Sequence, residues 1–311
     1  MPTRAERIAG GLVGLLVGDA LGVPYEFHPP EAIPPLAQIE FDPPAGFARA
    51  HPSAPRGAWS DDGAQALCLL ASLLEQGRFD AEDFGNRIVR WYDEGYLAVE
   101  GKVFDVGIQT SRAIQRLRAG VPALEAGSTE ERALGNGSLM RVLPLALWHR
   151  GSDAELVADA QAQSRVTHGH PRAQVCCALY CLWARRLLDE SADPWGEAVA
   201  TLRAVLPEGS ANREELEWSV RPDDAPQGQG GGYVVDALRS ARWAFSQGSY
   251  EIAVKSAVAL GNDTDTTACI AGGVAGIRDG IEAIPELWRQ QLAAKELYEP
   301  LLAQLLLSLG V

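Results

Sequence analysis

Leu260-Gly261-Asn262-Asp263-Thr264-Asp265-Thr266-Thr267, running directly into Ala268-Cys269-Ile270-Ala271-Gly272-Gly273, is the stretch on which the reading of this chain turns. Asn, Asp and Thr favour turns and helix N-caps, because their side chains accept from backbone N–H groups that a helix start leaves open. A helix is therefore expected to begin near Asp265 or Thr266 and to run towards Arg278. Asp263 and Asp265, two apart in a non-helical turn, can aim at one point; on a regular helix they would diverge. Two close carboxylates repel unless one is protonated or a cation lies between them. Ligands that are all oxygen suit a hard ion such as magnesium, manganese or calcium. An acidic N-cap on an ordinary helix is the competing explanation.

A second cluster has the same construction. Gly57-Ala58-Trp59-Ser60-Asp61-Asp62-Gly63 opens a helix that continues through Ala64-Gln65-Ala66-Leu67. Ser60 is a credible N-cap, and Asp61 and Asp62 in the first turn favour the helix dipole. Capping accounts for one such cluster but poorly for two, each with a hydroxyl, paired aspartates and small apolar residues after them. If the two helices are neighbours, the four carboxylates of Asp61, Asp62, Asp263 and Asp265 converge with two hydroxyls. That set is enough for a pair of bridged divalent ions.

Outward from these clusters, apolar positions recur at helical spacing over 5–21, 61–77, 80–95, 107–119, 137–148, 153–165, 171–188, 193–204, 232–247, 249–260, 265–279 and 285–309. No series of alternating β-branched runs and no 30–50-residue repeat appears, so the expected fold is all-α, a single compact helical domain over 1–311. Two small-residue patterns, Gly10-Gly11-Leu12-Val13-Gly14 and Ala271-Gly272-Gly273-Val274-Ala275-Gly276, predict that an early and a late helix form the central packed pair. The Pro-rich loop 28–58 is long enough to serve as a lid or binding element. With 47% apolar residues a sizeable core can form.

Lys and Arg number 27 against 41 Asp and Glu, a net charge of −14, which argues against coating nucleic acid or an anionic membrane. A small anionic ligand, bound through a local field, stays open. The run Ile8 to Leu21, interrupted by Gly and Asp19, is expected to be too short for a membrane span, and no small-residue cleavage site follows it. A cytoplasmic monomer is expected. The five cysteines are expected to pack in the core, since none forms a Cys-x-x-Cys pair.

Seven motifs in order now resemble one family, the ADP-ribosylglycohydrolases, which include dinitrogenase-reductase activating enzymes and ADP-ribosylarginine and ADP-ribosylserine hydrolases. They are Gly18-Asp19-Ala20-Leu21-Gly22-Val23-Pro24-Tyr25-Glu26, Trp59-Ser60-Asp61-Asp62, Phe104-Asp105-Val106-Gly107, Gly135-Asn136-Gly137-Ser138-Leu139-Met140-Arg141, Thr167-His168-Gly169-His170-Pro171, Gly232-Tyr233-Val234 and Asp263-Thr264-Asp265-Thr266. The resemblance implies an all-α fold whose cleft, at helix N-termini, holds two magnesium or manganese ions through Ser60, Asp61, Asp62, Asp263, Asp265 and Thr266, with Asp265 the candidate bridging ligand. It also implies hydrolysis of the bond between ADP-ribose and an acceptor. Two positions depart from the pattern. Gly63 stands where the family commonly has a second Thr after the paired aspartates, and Asn262 replaces a Gly before Asp263. Asn tolerates a left-handed turn, so acceptor choice is more exposed to these changes than metal binding.

The remaining residues carry two readings each. Gly135-Asn136-Gly137-Ser138 before an apolar helix offers free N–H groups to a diphosphate, or is a connecting turn. Arg141 is an anion partner or one half of an ordinary salt bridge. The resemblance places Met140 and His168 in the ADP-ribose cleft and leaves His170 as a helix cap. Tyr233, after the flexible Gly228-Gln229-Gly230-Gly231-Gly232, stacks on adenine or packs in the core. Glu26 and Asp105 as bare residues read as surface carboxylates; the resemblance moves both into the cleft. Metal-assisted glycoside hydrolysis with an oxocarbenium-like transition state follows, with Glu26 the first and Asp62 the second candidate for proton transfer. The rival readings are a catalytically silent ADP-ribose-binding relative and a phosphohydrolase that cleaves the diphosphate.

Overall fold

The computed structural model describes all 311 residues. The chain is helical almost throughout, and its only extended pairings are two isolated bridges, Ser128–His168 and Gly135–Tyr233. Helices α1 (Arg4–Gly22), α2 (Asp61–Gln76), α3 (Ala81–Glu94), α4 (Ile108–Arg118) and α5 (Ala123–Ala126) form the first half. They are followed by α6 (Leu143–Trp148), α7 (Asp153–Arg165), α8 (Pro171–Leu188), α9 (Pro194–Val205) and α10 (Ala211–Glu214), the last continuing into a π-helical turn at Glu215–Val220. Helices α11 (Val234–Phe245), α12 (Tyr250–Ala259), α13 (Thr264–Asp279), α14 (Glu286–Gln291) and α15 (Lys295–Leu309) complete the chain.

Helices α1 and α13 are the central pair, as the small-residue patterns predict. Both are buried along almost their whole length. A Cβ built on Gly14 would lie 2.5 Å from the Gly272 carbonyl oxygen and 2.9 Å from the Tyr250 ring. The two backbones therefore touch with no side chain between them. Gly10 meets Gly276 and Gly18 meets Ala268 in the same way, so the contact repeats at each turn. The Tyr250 hydroxyl donates to the Gly14 carbonyl at 2.9 Å, which supports the contact from the side. Around this pair lies one continuous core of 82 buried apolar residues drawn from both ends of the chain. All five cysteines are buried and unbonded to one another within it, as expected.

Three sequence expectations need correction. The segment Arg4–Tyr25, at 22 residues, is long and apolar enough by length and composition to cross a membrane, and its apolar window is wholly buried against the other helices. Its interior position comes from glycine packing, not from insufficient length. The region 137–148 is helical only from Leu143, because the Asn136 carbonyl accepts from both Leu139 and Met140 and curls the chain into successive turns. The 285–309 segment breaks at Leu292–Ala294, where Ala294 adopts a left-handed φ of 47° and the Ala293 N–H bonds the Gly57 carbonyl. That break lets the C-terminal helix pair brace the chain just ahead of Ser60.

The Gly14→Ala variant is expected to lose at least about 1–3 kcal/mol, the usual cost of overpacking a closed contact. Urea denaturation checks this, and a wild-type midpoint would refute the close backbone approach.

Candidate active site

Both acidic clusters sit at helix starts, and the central pair brings those starts together. Asp19, near the end of α1, is fully buried and accepts from the Ser60 N–H at 2.9 Å and the Gly63 N–H at 2.7 Å. It thereby caps α2 from outside, a pairing of carboxylate and helix N-terminus that the sequence reading passed over. Ser60 caps locally, its Oγ accepting from the Asp62 N–H at 3.3 Å. On the other side, the Thr264 hydroxyl donates to the Gly22 carbonyl at 2.8 Å and pins the start of α13 to the end of α1. Asn262 adopts a φ of 60°, as expected of the turn residue before Asp263.

A cleft of about 730 Å³ opens over these helix starts. Glu26, Asp61, Asp62, Asp105, Asp263 and Thr266 line one side, and Gly135, Asn136, Gly137, Met140 and His168 line the other. Ligand oxygens of Glu26, Asp263 and Asp265 lie within 4.8 Å of one another, and Glu26 belongs equally to a second group with His51 and Asp105. Glu26 is thus common to both groups. Ser60 stands behind the cleft, with its hydroxyl 3.3 Å from Asp62 Oδ2.

The electrostatics are those of a crowded, buried carboxylate cluster. Burial pushes Glu26 up to about 7, although the His51 hydrogen bond works the other way. Asp61, Asp62 and Asp265 all rise well above the ordinary range, through burial first and then repulsion from neighbouring carboxylates. Both carboxylate oxygens of Asp265 and one of Asp62 are buried without any hydrogen-bond partner. Unpartnered buried carboxylate oxygens are costly unless protonated or met by a cation. Oxygen-only donors at this density fit a hard divalent ion.

His51 is the functional neighbour that sequence reading missed. It comes from the long 28–58 loop, its Nε2 lies 2.5 Å from Glu26 Oε2, and its ring packs between Phe27 at 5.5 Å and Phe104 at 5.1 Å. The hydrogen bond to Glu26 raises its pKa. Only the length and proline content of the loop hinted at a binding role, and nothing singled out this histidine.

Across the cleft, Asn136 Nδ2 donates to Asp263 Oδ2 at 2.8 Å and joins the glycine loop to the acidic cluster. The loop is not at a helix start as expected, since α6 begins only at Leu143. Ser138 does not face the cleft, because its hydroxyl is buried against Ser164 Oγ at 2.8 Å. His168 does face it; burial depresses its pKa to about 3, and Thr167 Oγ1 holds Nδ1 at 2.8 Å. His170 caps α8, as expected. Tyr233 lies outside the acidic cleft, in an adjoining hollow of about 1000 Å³ that shares Gly232 and Asn262 with it. It is 40% exposed and accepts from Arg172, so core packing is excluded for it. Arg141 is neither an anion partner in the cleft nor a salt bridge; it is fully buried among amide groups. Gly63 is explained by packing, since a Cβ there would meet Trp59 and Leu16 at 2.8 and 2.9 Å.

A helical fold that gathers buried carboxylates at two helix starts, opposite a glycine turn and a neutral histidine, is the framework of a hydrolase with an acidic cleft. The chain belongs to the ADP-ribosylglycohydrolase family, whose model matches residues 1–310. It is 32% identical over 291 residues to the ADP-ribosylarginine hydrolase Tri1 of Pseudomonas putida, covering 93% of this chain and 74% of that protein. It is 29% identical to the ADP-ribosyl-[dinitrogen reductase] glycohydrolase of Rhodospirillum rubrum, covering 94% and 92%. A solved structure described as an ADP-ribosylglycohydrolase-related protein complex superposes with a TM-score of 0.77 at 33% identity, over 98% of both chains. The protein is therefore a hydrolase of ADP-ribose–acceptor bonds.

The raised carboxyl groups make metal binding and pH interdependent. In the metal-free fold, protonation of Glu26 is favoured up to about 7, above its unfolded value near 4.5. Its contribution to stability is present below about pH 4.5 and is lost as pH rises through 7. A divalent ion held by these carboxylates would compete with that proton. The rise in melting temperature on adding magnesium or manganese is thus expected to be larger at pH 8 than at pH 5. In Asp265→Asn the rise should vanish while the metal-free protein melts higher than wild type, because a buried carboxyl group crowded by its neighbours has been removed. An undiminished metal response in that variant would exclude Asp265 as a ligand.

Proposed function

We propose that residues 1–311 form one catalytic domain that hydrolyses the N-glycosidic bond between ADP-ribose and an arginine guanidinium, acting as a cytoplasmic monomer without nucleic-acid or membrane partners. The observation that carries the reading is the convergence of Glu26, Asp263 and Asp265, with the Asp265 oxygens unpartnered, at the base of one cleft. Two relatives bear the name ADP-ribosylarginine hydrolase, at 32% and 31% identity. The cleft mouth also suits a guanidinium, because Phe27 is 69% exposed beside the His51 and Phe104 rings and carboxylates lie immediately below.

Ser60, Asp61, Asp62, Asp263, Asp265 and Thr266 would hold two magnesium or manganese ions, with Glu26 and Asp105 at their edge. When bound, the ions would supply Lewis-acid polarisation and offset charge as the bond breaks. The chain's own groups do the rest. Glu26 is buried, is raised to about 7 in the metal-free fold, and is hydrogen-bonded to His51. It is therefore placed to exchange a proton with the leaving nitrogen or the attacking water, with Asp62 the second candidate. The Gly135–Gly137 backbone cradles the diphosphate, and His168, kept neutral, borders that anion without competing for the cations. Met140 closes the same wall. Tyr233, which lines the adjoining hollow, would stack on the adenine.

Incubation with ADP-ribosylarginine, ADP-ribosylserine and O-acetyl-ADP-ribose, with magnesium or manganese present, tests the reading. Free ADP-ribose from the arginine conjugate is the expected product. AMP would mean diphosphate cleavage, and unchanged conjugate would mean a binding protein.

The Glu26→Gln variant keeps the shape of the side chain but cannot exchange a proton. Turnover is expected to fall about 10²–10⁴-fold with metal and ADP-ribose still bound. Wild-type turnover would remove Glu26 from the chemistry. In Gly137→Val, a Cβ would meet His168 Cε1 at 2.8 Å. ADP-ribose binding should weaken there while metal affinity stays nearly unchanged; equal loss of both, with lower melting, would mark the loop as a structural turn.

A further inference from the structure

Behind the acidic cleft the chain buries a guanidinium that has no carboxylate partner. Arg141 is fully enclosed, and the Phe84 ring covers it at 5.0 Å. A charge buried without a counter-ion is expensive, and filling the same space with a methionine or leucine would avoid the cost. What the guanidinium does instead is divide its donors between two glutamines, both with no exposed surface. Nη1 donates to Gln65 Oε1 at 2.7 Å, Nε to Gln163 Oε1 at 3.2 Å, and Nη2 to the Gln163 carbonyl at 3.1 Å.

Each glutamine passes the polarity on. Gln65 Nε2 donates to Asp61 Oδ2 at 2.8 Å, and Gln163 Nε2 donates to the Ser138 carbonyl at 3.0 Å. The amide orientations are forced, because a guanidinium has only donors while a carboxylate and a carbonyl have only acceptors. Each amide is also polarised by the charge behind it, which strengthens the N–H it presents. A lysine, with its donors on one atom, could not span both glutamines. The two arms end at different functional places, one on the acidic cluster and one on the glycine loop across the cleft.

We propose that Arg141 is a positioning residue that couples the carboxylate cluster to the Gly135–Ser138 loop, orienting Asp61 through Gln65 and the Ser138 peptide through Gln163. The coupling rests on the reading of the cleft as a divalent-ion and ADP-ribose site. By linkage, an ion that settles Asp61 tightens ADP-ribose binding at the loop, and ADP-ribose tightens the ion by the same factor.

Calorimetry with manganese chloride and with ADP-ribose, on wild type and on Gln65→Met, Gln163→Met and Arg141→Lys, tests the arms separately. Gln65→Met should lose roughly 10- to 100-fold in manganese affinity, the range for residues that orient a ligand, and keep its metal-free ADP-ribose affinity. Gln163→Met should show the reverse. Arg141→Lys should weaken both and abolish the tightening of ADP-ribose by manganese. Should Arg141→Lys fail to fold, the two near-isosteric glutamine variants decide the matter. Loss of both affinities alike in each glutamine variant, in step with a lower melting temperature, would overturn the relay. So would wild-type affinities in both variants. A wild-type protein that binds neither manganese nor ADP-ribose would instead overturn the cleft reading on which the relay stands.

Discussion

The contact on which the rest depends is the meeting of two bare helix backbones. Where Gly10, Gly14 and Gly18 of α1 meet α13, carbonyl oxygens occupy the space that side chains would need. That approach is specific in register, because a slip by one residue would drive a Cβ into a carbonyl. It fixes Gly22 of α1 against the start of α13, while Asp19 of the same helix caps the start of α2. Three helix ends are thus assembled by one steric fit. The carboxylates meet because the glycines do.

The assembled cluster is held against its own electrostatics. Glu26, Asp61, Asp62, Asp105, Asp263 and Asp265 are all pushed towards protonation by burial, and mutual repulsion adds to the effect at all of them but Asp105. The rim is strained as well. Phe27, His51, Asp105 and Asn262 all adopt left-handed φ values between 46° and 63°, a conformation that costs non-glycine residues about 1–3 kcal/mol each. Two reciprocal backbone bonds hold part of that rim, Phe27 N–H to the Asn262 carbonyl and Asn262 N–H to the His28 carbonyl, each 2.7 Å. The large apolar core around the central pair supplies the rigidity that such a site needs.

The departures from the family pattern take on a physical meaning in this frame. Gly63 faces the Trp59 ring and Leu16, so its missing side chain is a matter of packing below the cleft and leaves the cleft wall untouched. Asn262 retains the left-handed turn that a glycine would otherwise supply, and its side-chain amide adds a bond to the Gln229 carbonyl at 2.9 Å. The turn before Asp263 and the glycine-rich loop before α11 are therefore fastened together.

Much of this was legible in the chain itself. Helical periodicity and capping residues gave the helices and most of their ends, and the paired hydroxyl–aspartate clusters at Ser60 and Asp263 announced the acidic site, because caps and 3.6-residue spacing are local properties. The glycine patterns named the central pair for the same reason. What local signals could not carry was anything decided by a distant neighbour. The break at Leu292–Ala294 depends on the Gly57 carbonyl, the late start of α6 on turns closed by Asn136, and the inward turn of Ser138 on Ser164. Nor does spacing reveal that His51 would reach Glu26, or that Arg141 would find two glutamines and no carboxylate. The sequence by itself determined most of the helices and where the oxygen-rich clusters lie along the chain. Only the tertiary structure decided which of them face one another, because that follows from how closely two backbones can approach.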